Sequence, residues 1–511
     1  MNFSLSGMSM AGIPEWLYYS SIVFVMLFSV AALEFFQRKE TRDLTGKTFE
    51  LSRIRAVKAF FKSRGIQAAF QLFVVFLFLV ILFAGFYGHQ HPGKNIAPTL
   101  TWNIWWIGLI FVILFFGKMW CYACPWDALT NWLTRLSFVK VQKEGINLGW
   151  KWPRWLRNIT LAILLFVLLT WLELGYHITL SPEATATLGL IMFGLVFVPG
   201  LLFEKKSFCR YGCLIGRVSG LYAMFSPVEI RSKDADVCRR CKTLDCLTGN
   251  GTGYPCPTGQ CLKTMTTNTY CIMCAECFRT CPHDNVAFNL RPFAADLADT
   301  PKPRKDEAYL ALILFALTAF HGLTMTPTWK RIVHTLQIEL SVSQIAAFSI
   351  GMAICLLLPV LIYALCVRVS GFLAGEGLQK VGHLFVKYAY ALIPIALFYH
   401  IAHNIEHFFM ESQKLVALVS DPFGYGWNLF DTAAWQPEPL LSLQTVWYLQ
   451  AGLVIVGHVF GILIAHQHAS RIFKTRRAAM KSQIPMIGLM VLFSVFSLWL
   501  IAQPMEMRSG M

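Results

Sequence analysis

Ten long apolar stretches recur along this chain of 511 residues, and they constrain its fold more than any other feature. A helix needs about 20 apolar residues to cross a hydrocarbon core ~30 Å thick. Hydrophobic residues make up 56% of the chain and charged residues only 14%, which is far from the average of globular proteins. We therefore predict an all-α polytopic membrane protein with about ten transmembrane helices. The stretches lie near residues 16–37, 66–88, 100–117, 158–178, 185–204, 307–325, 344–367, 384–410, 443–466 and 484–503.

The basic residues indicate how these helices are oriented. Most of the 44 Lys and Arg residues lie in five segments between the stretches. Because short Lys- and Arg-rich loops stay on the cytoplasmic side, we expect these segments to face the cytoplasm of a bacterial inner membrane, with both termini outside. This topology and anionic headgroups account for the net charge of +16, so no nucleic-acid partner is required. The basic segments are 38–65, 118–157, 205–306, 368–383 and 467–482.

A cysteine motif in the longest basic segment limits the chemistry. Cys271, Cys274 and Cys277 stand at every third position, and Cys281 follows four residues later, before a proline. This is the spacing of bacterial ferredoxins, in which three cysteines bind one 4Fe-4S cluster and the fourth binds a neighbouring cluster. The motif therefore predicts one-electron chemistry and a second cluster nearby.

A looser motif lies just upstream, where three cysteines precede a Gly-rich insertion and a fourth precedes a proline. The upstream cysteines are Cys238, Cys241, Cys246 and Cys256. Crossed ligation would combine the first three with Cys281, and Cys256 with the first three cysteines of the downstream motif. Cys261 would then bind no cluster. Zinc sites are the alternative, because cysteine pairs at this spacing also bind zinc.

Two further cysteine pairs follow apolar stretches. Cys121 and Cys124 come after the third stretch, and Cys209 and Cys213 come after the fifth. Both pairs are predicted at the cytoplasmic ends of their helices, so the four thiols should lie at matching depths. Four such thiolates could hold a third 4Fe-4S cluster, act as a redox dithiol system or bind zinc.

Paired cysteines followed by a tandem ferredoxin module give the chain a resemblance to a known family. It resembles the membrane-bound polyferredoxins, the NosR/NapH/CcoG-like 4Fe-4S proteins, over roughly residues 66–290. The resemblance implies electron transfer that serves a respiratory or metalloprotein-maturation system.

The motifs divide the chain into three parts. Residues 1–227 are expected to form an N-terminal five-helix membrane domain with the paired cysteines at its cytoplasmic face. Residues 228–305 are expected to form an inserted cytoplasmic ferredoxin-like domain with two 4Fe-4S clusters. Residues 306–511 are expected to form a C-terminal five-helix membrane domain that carries histidines.

Histidines are the candidate site residues of the C-terminal part. His400, His403 and His407 are three and four residues apart, so a helix would place them on one face. His458 lies in the middle of the next stretch. Ionisable residues in membrane helices usually mark ion, proton or cofactor sites. Haem b, quinone or a metal ion near the outer face are the candidates, and interfacial hydrogen bonding is the alternative.

These observations favour an electron carrier over a stand-alone catalyst. We expect the protein to relay electrons between a cytoplasmic donor or quinol and an acceptor at the outer face, with redox protein partners on one or both sides. A hydrocarbon core of ~30 Å requires a relay within the membrane. The alternative is an iron or copper transport or assembly accessory protein that uses its clusters for reduction or redox sensing.

Overall fold

Helices dominate the computed structural model, which describes residues 9–10, 12–38, 46–142, 145–375, 377–436 and 440–506. The α-helices of eight or more residues are α1 (Glu15–Arg38), α2 (Arg55–Lys62), α3 (Arg64–Tyr87), α4 (Ile107–Phe116), α5 (Pro125–Arg135), α6 (Thr160–Gly175), α7 (Pro182–Leu202), α8 (Leu214–Tyr222), α9 (Lys305–Thr324), α10 (Pro327–Leu340), α11 (Gln344–Leu373), α12 (Leu378–Ala391), α13 (Ile393–Glu411), α14 (Leu443–Ile472) and α15 (Arg476–Ala502). The strands are β1 (Ser9–Met10), β2 (Phe49–Glu50), β3 (Val228–Ser232), β4 (Val286–Leu290) and β5 (Met505–Glu506).

Nine helices within the described ranges are long and apolar enough to cross a membrane. They are α1, α3, α7, α9, α11, α14, α15 and the helical stretches Ile96–Arg135 and Lys380–Glu411. The fourth predicted stretch corresponds to α6, which has 16 residues. A helix of that length rises only about 24 Å, less than a ~30 Å core. The helices are compatible with a membrane protein, and each predicted stretch corresponds to an apolar helix.

The first helix packs with the last ones. α1 contacts α14 and α15, while α14 also packs against α13. Ser29 of α1 and His458 of α14 meet with 2.9 Å between Oγ and Nε2. Small side chains such as Ser29 and Ala32 allow this close approach of helices. The first helix, α1, therefore packs in the bundle formed by the C-terminal helices.

A small antiparallel sheet organises the cysteine-rich segment. Its strand order is β2-β4-β3, so β2, which precedes α3, pairs with β4. The ring of Phe61 in α2 lies 5.1 Å from that of Phe278 and 4.8 Å from that of Phe288, measured between centroids. We call the unit formed by residues 49–62 and 228–290 the cysteine module. Its core is apolar and separate from the core of the helices.

A buried carboxylate fixes the cysteine module to the helices. Glu276 accepts hydrogen bonds from both terminal nitrogens of Arg64, at 3.1 and 2.8 Å, and from Arg279 at 3.0 Å. The backbone N–H of Tyr254 donates to the same side chain at 2.9 Å. Because Arg64 begins α3, this arrangement sets the position of the module relative to the ends of the apolar helices.

Candidate metal centres

A sharp turn after α4 presents the first helix-end cysteine pair. Gly117 has a φ of 60°, a conformation that side chains other than glycine rarely adopt. A Cβ atom there would lie 2.9 Å from the Cε atom of Met273 in the cysteine module. Cys121 follows in a short helical turn, and Cys124 directly precedes α5. The turn thus places the first pair against the module.

The second pair lies at the start of α8 and meets the first. The Sγ atom of Cys213 accepts a hydrogen bond from the backbone N–H of Gly216 at 3.3 Å. Cys209 is within electrostatic range of Cys213 and Cys121, and Cys124 is within range of Cys121 and Cys209. The structure therefore brings together all four thiols that the sequence places at helix ends, and we call them the helix-end site.

Burial disfavours the charged form of these thiols. It raises the pKa of Cys213 to about 11 and that of Cys209 well above its usual range. Metal coordination deprotonates a thiol, because the cation stabilises the thiolate. A bound metal centre would thus convert this site into a group of buried anions.

Two buried cations lie beside the helix-end site. Lys118 is fully buried, donates a hydrogen bond to the carbonyl of Thr269 at 3.3 Å and interacts electrostatically with Cys121 and Cys213. Arg217 is 1% exposed, and in the described part of the chain no acceptor hydrogen-bonds its guanidinium nitrogens. Burying a cation is costly unless an anion compensates it. A 4Fe-4S cluster with four thiolates is negatively charged, so the residues present fit such a centre.

The downstream motif surrounds one cavity of the cysteine module. We call this the proximal cavity; its empty volume is ≈ 420 Å³. Met273 and Ala275 have φ values of 50° and 64°, and these left-handed residues wind the loop tightly around the cavity. Cys256 from the upstream motif also lines it. The cysteines that line the proximal cavity are Cys246, Cys256, Cys271, Cys274 and Cys277.

A second cavity, with an empty volume of ≈ 350 Å³, lies at the other end of the module. In this distal cavity Asn285 donates two hydrogen bonds to sulfur. Its Nδ2 donates to Sγ of Cys238 and its backbone N–H to Sγ of Cys281, both at 3.4 Å. Hydrogen bonds to the sulfurs are one of the factors that set the reduction potential of a cluster. The cysteines that line the distal cavity are Cys238, Cys241, Cys246, Cys261 and Cys281.

The two cavities group the cysteines as crossed ligation requires, with two additions: Cys261 lines the distal cavity, and Cys246 lines the proximal cavity as well as the distal one. Cys281 lies with the upstream triplet, and Cys256 lies with the downstream one. Cys261, which spacing leaves without a cluster, interacts electrostatically with Cys246. Burial raises the pKa of Cys246 to about 11. The distal cavity therefore has one thiol more than a cluster binds.

The three groups of cysteines form a series. Lys118 interacts electrostatically with Cys271 as well as with the helix-end thiols. Cys121 and Cys274 line a common cleft, and Cys246 lines both cavities of the module. The proximal cavity thus lies between the helix-end site and the distal cavity.

The candidate histidines of α13 have different surroundings. Nδ1 of His400 lies 3.4 Å from the hydroxyl of Tyr222, the last residue of α8. The ring centroid of His403 lies 5.1 Å from that of His321 and 5.8 Å from that of His407. His400 is therefore next to α8, the helix that begins directly after Cys213, whereas His403 and His407 face another group.

That group is a buried array of imidazoles and carboxylates on the three helices α6, α9 and α13. Nδ1 of His407 lies 3.4 Å from Oε1 of Glu411, whose Oε2 accepts a hydrogen bond from Asn103 at 3.3 Å. Nε2 of His321 lies 3.9 Å from Oε1 of Glu173. Burying several ionisable groups among apolar helices usually marks a functional site. The members of this imidazole-carboxylate array are Glu173, His321, His403, His407 and Glu411.

His458 is not part of the array. Its Nε2 and Nδ1 each lie 2.9 Å from a serine hydroxyl, that of Ser29 on α1 and that of Ser494 on α15. Both ring nitrogens are thus used in contacts between helices. His458 is a buried residue in contact with two serines, and its role in cofactor binding stays a prediction.

Among the described residues, no group of three or more His, Cys, Asp or Glu side chains is arranged to hold a metal ion. Each thiolate of a 4Fe-4S cluster binds a different iron atom, so the four sulfur ligands are farther apart than the ligands of a single metal ion. The cysteine groups are therefore candidate ligands of clusters.

A family model described as a 4Fe-4S binding domain matches the chain twice, over residues 98–144 and 185–231. These segments contain the two cysteine pairs of the helix-end site, Cys121 with Cys124 and Cys209 with Cys213. No curated protein and no solved structure matches the chain. The 4Fe-4S binding domains indicate iron-sulfur electron transfer.

Proposed function

We propose that the protein is a membrane electron-transfer protein with three 4Fe-4S clusters. The observation that carries this proposal is the helix-end site, where four cysteines meet beside the buried cations Lys118 and Arg217. The family matches on the same two segments support iron-sulfur chemistry there. A zinc ion bound by four thiolates would also be anionic, so the buried cations fit zinc as well as a cluster. Metal and sulfide analysis distinguishes zinc from a 4Fe-4S cluster.

Two clusters are assigned to the cysteine module. The distal cavity supplies Cys238, Cys241, Cys246 and Cys281 as ligands, and the proximal cavity supplies Cys256, Cys271, Cys274 and Cys277. Clusters held there would supply one-electron transfer. The series of sites leads from the distal cavity to the helix ends. The protein itself contributes the spacing between the clusters, their burial and the hydrogen bonds to their sulfur ligands.

The orientation of the protein in the membrane follows from the distribution of its Lys and Arg residues. We place the cysteine module in the cytoplasm and both termini outside the bacterial inner membrane. Electrons then pass between a cytoplasmic donor or quinol and an acceptor at the outer face, in respiration or metalloprotein maturation. Haem b or quinone near the histidines of α13 would serve as the relay. His400 contacts Tyr222, the last residue of the helix that follows Cys213.

Metal and sulfide analysis of the full-length protein, purified without oxygen, tests the proposal. We expect about twelve iron atoms and as many sulfides, with EPR signals after reduction by dithionite. Replacing Cys121 and Cys209 together by Ser should lower both contents to about eight. Cys355→Ser is the control, since this cysteine lies in α11 outside the three groups. Stoichiometric zinc without sulfide in the wild-type protein would refute the proposal.

The imidazole-carboxylate array favours a second candidate, an iron or copper transport or assembly accessory protein. Three imidazoles and two carboxylates are ligand types that bind such ions. As placed among the described residues these side chains form no metal site, so binding would require them to reorient. The test is copper and iron binding by the purified protein after its cluster iron has been counted. A bound ion in excess of the clusters, lost in a His403→Ala and His407→Ala double variant, would support transport or assembly.

A further inference from the structure

Basic side chains surround the opening of the distal cavity. Arg239, Arg240 and Lys242 flank Cys241 in sequence, and all three are exposed. Lys263 is also exposed, lines the distal cavity and donates a hydrogen bond from Nζ to the carbonyl of Arg239 at 3.2 Å. We call these four cationic residues the basic rim.

The acidic residues nearby do not neutralise the rim. Asp236 forms an ion pair with Arg239. Asp245 lines the cavity and accepts a hydrogen bond from Nδ2 of Asn250 at 2.9 Å. Asp234 hydrogen-bonds Asn285 through its backbone, and Asp284 is paired with Lys58 and Lys62. With these included, six cations and four carboxylates surround the cavity, and the surface keeps a net positive charge.

The rim is separated from the apolar helices. The proximal cavity lies between the helix-end site and the distal cavity that the rim surrounds. The cleft on the other side of the module is lined by Arg64 of α3 and by Cys121 at the helix ends. The basic rim is therefore on the part of the module that faces away from the helix-end site, where a soluble partner can approach.

We propose that the basic rim is the docking surface for a small acidic protein that carries single electrons. The inference rests on the proposed function, because the rim surrounds the cavity assigned to the first cluster of the series. A positive surface attracts an acidic partner over about one Debye length, ~10 Å at 0.1 M salt, and raises the association rate. Redox complexes of this kind are small and short-lived, so charge provides specificity where buried area does not.

Stopped-flow reduction of the full-length protein in nanodiscs of zwitterionic lipid tests the proposal. The probe is a reduced, acidic 2Fe-2S ferredoxin, and its dissociation constant is measured separately with the oxidised pair. The variant combines Arg239→Glu, Arg240→Glu and Lys242→Glu. We expect the association rate to fall about tenfold or more at low salt, with affinity falling in parallel. The wild-type rate should also decrease as salt increases.

A charge-matched variant provides the control. Lys151→Glu, Arg154→Glu and Lys474→Glu change the same net charge at exposed positions outside the module. This variant should keep the association rate within about twofold, since long-range effects of net charge are screened. Equal losses in both variants, or no loss in the rim variant, would overturn the proposal.

Two further measurements distinguish a failure of the docking proposal from a failure of the proposed function. Cluster content and reduction by dithionite are measured on the same samples, so absence of clusters in the wild type would refute the proposed function, while the dissociation constant still reports on docking. Binding to vesicles that contain about 30% anionic lipid tests the alternative that the rim contacts a membrane surface. If the rim variant loses only vesicle binding, the surface is a lipid contact and the docking proposal is wrong.

Discussion

The guanidinium carbon of Arg217 lies 4.5 Å from the ring centroid of Tyr270. Arg217 belongs to α8, which begins directly after Cys213, and Tyr270 directly precedes Cys271. The stack therefore joins the helix-end site to the proximal cavity through one contact. A cation held over an aromatic ring is favourable when both are desolvated. It still leaves the guanidinium nitrogens available to an anion.

The first prediction concerns the charge of Arg217. In Arg217→Met the helix-end centre loses a buried cation, so its anionic reduced form is less stable and its midpoint potential should become more negative. EPR-monitored redox titration measures this shift. The two centres of the cysteine module should keep their potentials.

Arg217→Lys is the matched control, because it preserves the charge and changes the geometry. We expect a smaller shift than in Arg217→Met. Identical potentials in the wild type and in both variants would contradict a role of Arg217 in compensating an anionic centre.

The second prediction concerns Asn285. Asn285→Leu removes the Nδ2 hydrogen bond to Cys238 together with two hydrogen bonds to the backbone of Asp234, and it keeps the backbone hydrogen bond to Cys281. Loss of a donor to sulfur should make the potential of the distal centre more negative. The control is Asn289→Leu in β4, the strand that directly follows Asn285, since Asn289 donates to Glu229 and not to sulfur. A shift of equal size in both variants would assign the effect to a general disturbance of this segment and not to the hydrogen bond to sulfur.

The cysteine groups were predictable because their ligands follow local spacing. The close steps of the downstream motif confine Cys271, Cys274 and Cys277 to one loop, and the structure places them around one cavity. The surroundings of the sites were not predictable in this way. Asn285 reaches Cys238 from 47 residues away, and nothing in the sequence around it indicates that contact.

The apolar helices were likewise apparent from composition, but their packing was not. Hydropathy identifies α1 as an apolar segment without showing that it packs against α14 and α15. Helical spacing predicts that His400, His403 and His407 share one face of a helix. It does not predict which residues of other helices each of them contacts. His321 of α9 completes the array and was recognisable only as an isolated histidine.

The third prediction tests the attachment of the cysteine module. Glu276→Gln removes the negative charge that Arg64 and Arg279 share while leaving both arginines largely buried. Breaking a buried ion pair by removing one partner costs about 3–5 kcal/mol. We expect earlier unfolding of the module in urea, measured by loss of cluster absorbance.

The control for this variant is Asp284→Asn, an exposed carboxylate paired with Lys58 and Lys62. Exposed ion pairs contribute about 0–1 kcal/mol, so the unfolding midpoint should change little. Equal destabilisation by both variants would mean that burial of Glu276 does not determine the attachment.

The last prediction distinguishes the histidines of the array from His458. Replacing His403 and His407 together by Ala should slow electron transfer from dithionite-reduced clusters to an acceptor outside the membrane, because a relay between the two is needed across ~30 Å. If the relay is haem, the variant should also lose or shift a haem absorbance band. His458→Ala removes hydrogen bonds to Ser29 and Ser494, so it should lower the melting temperature and leave the transfer rate unchanged. A double variant with wild-type cofactors and rate would assign His403 and His407 a structural role only.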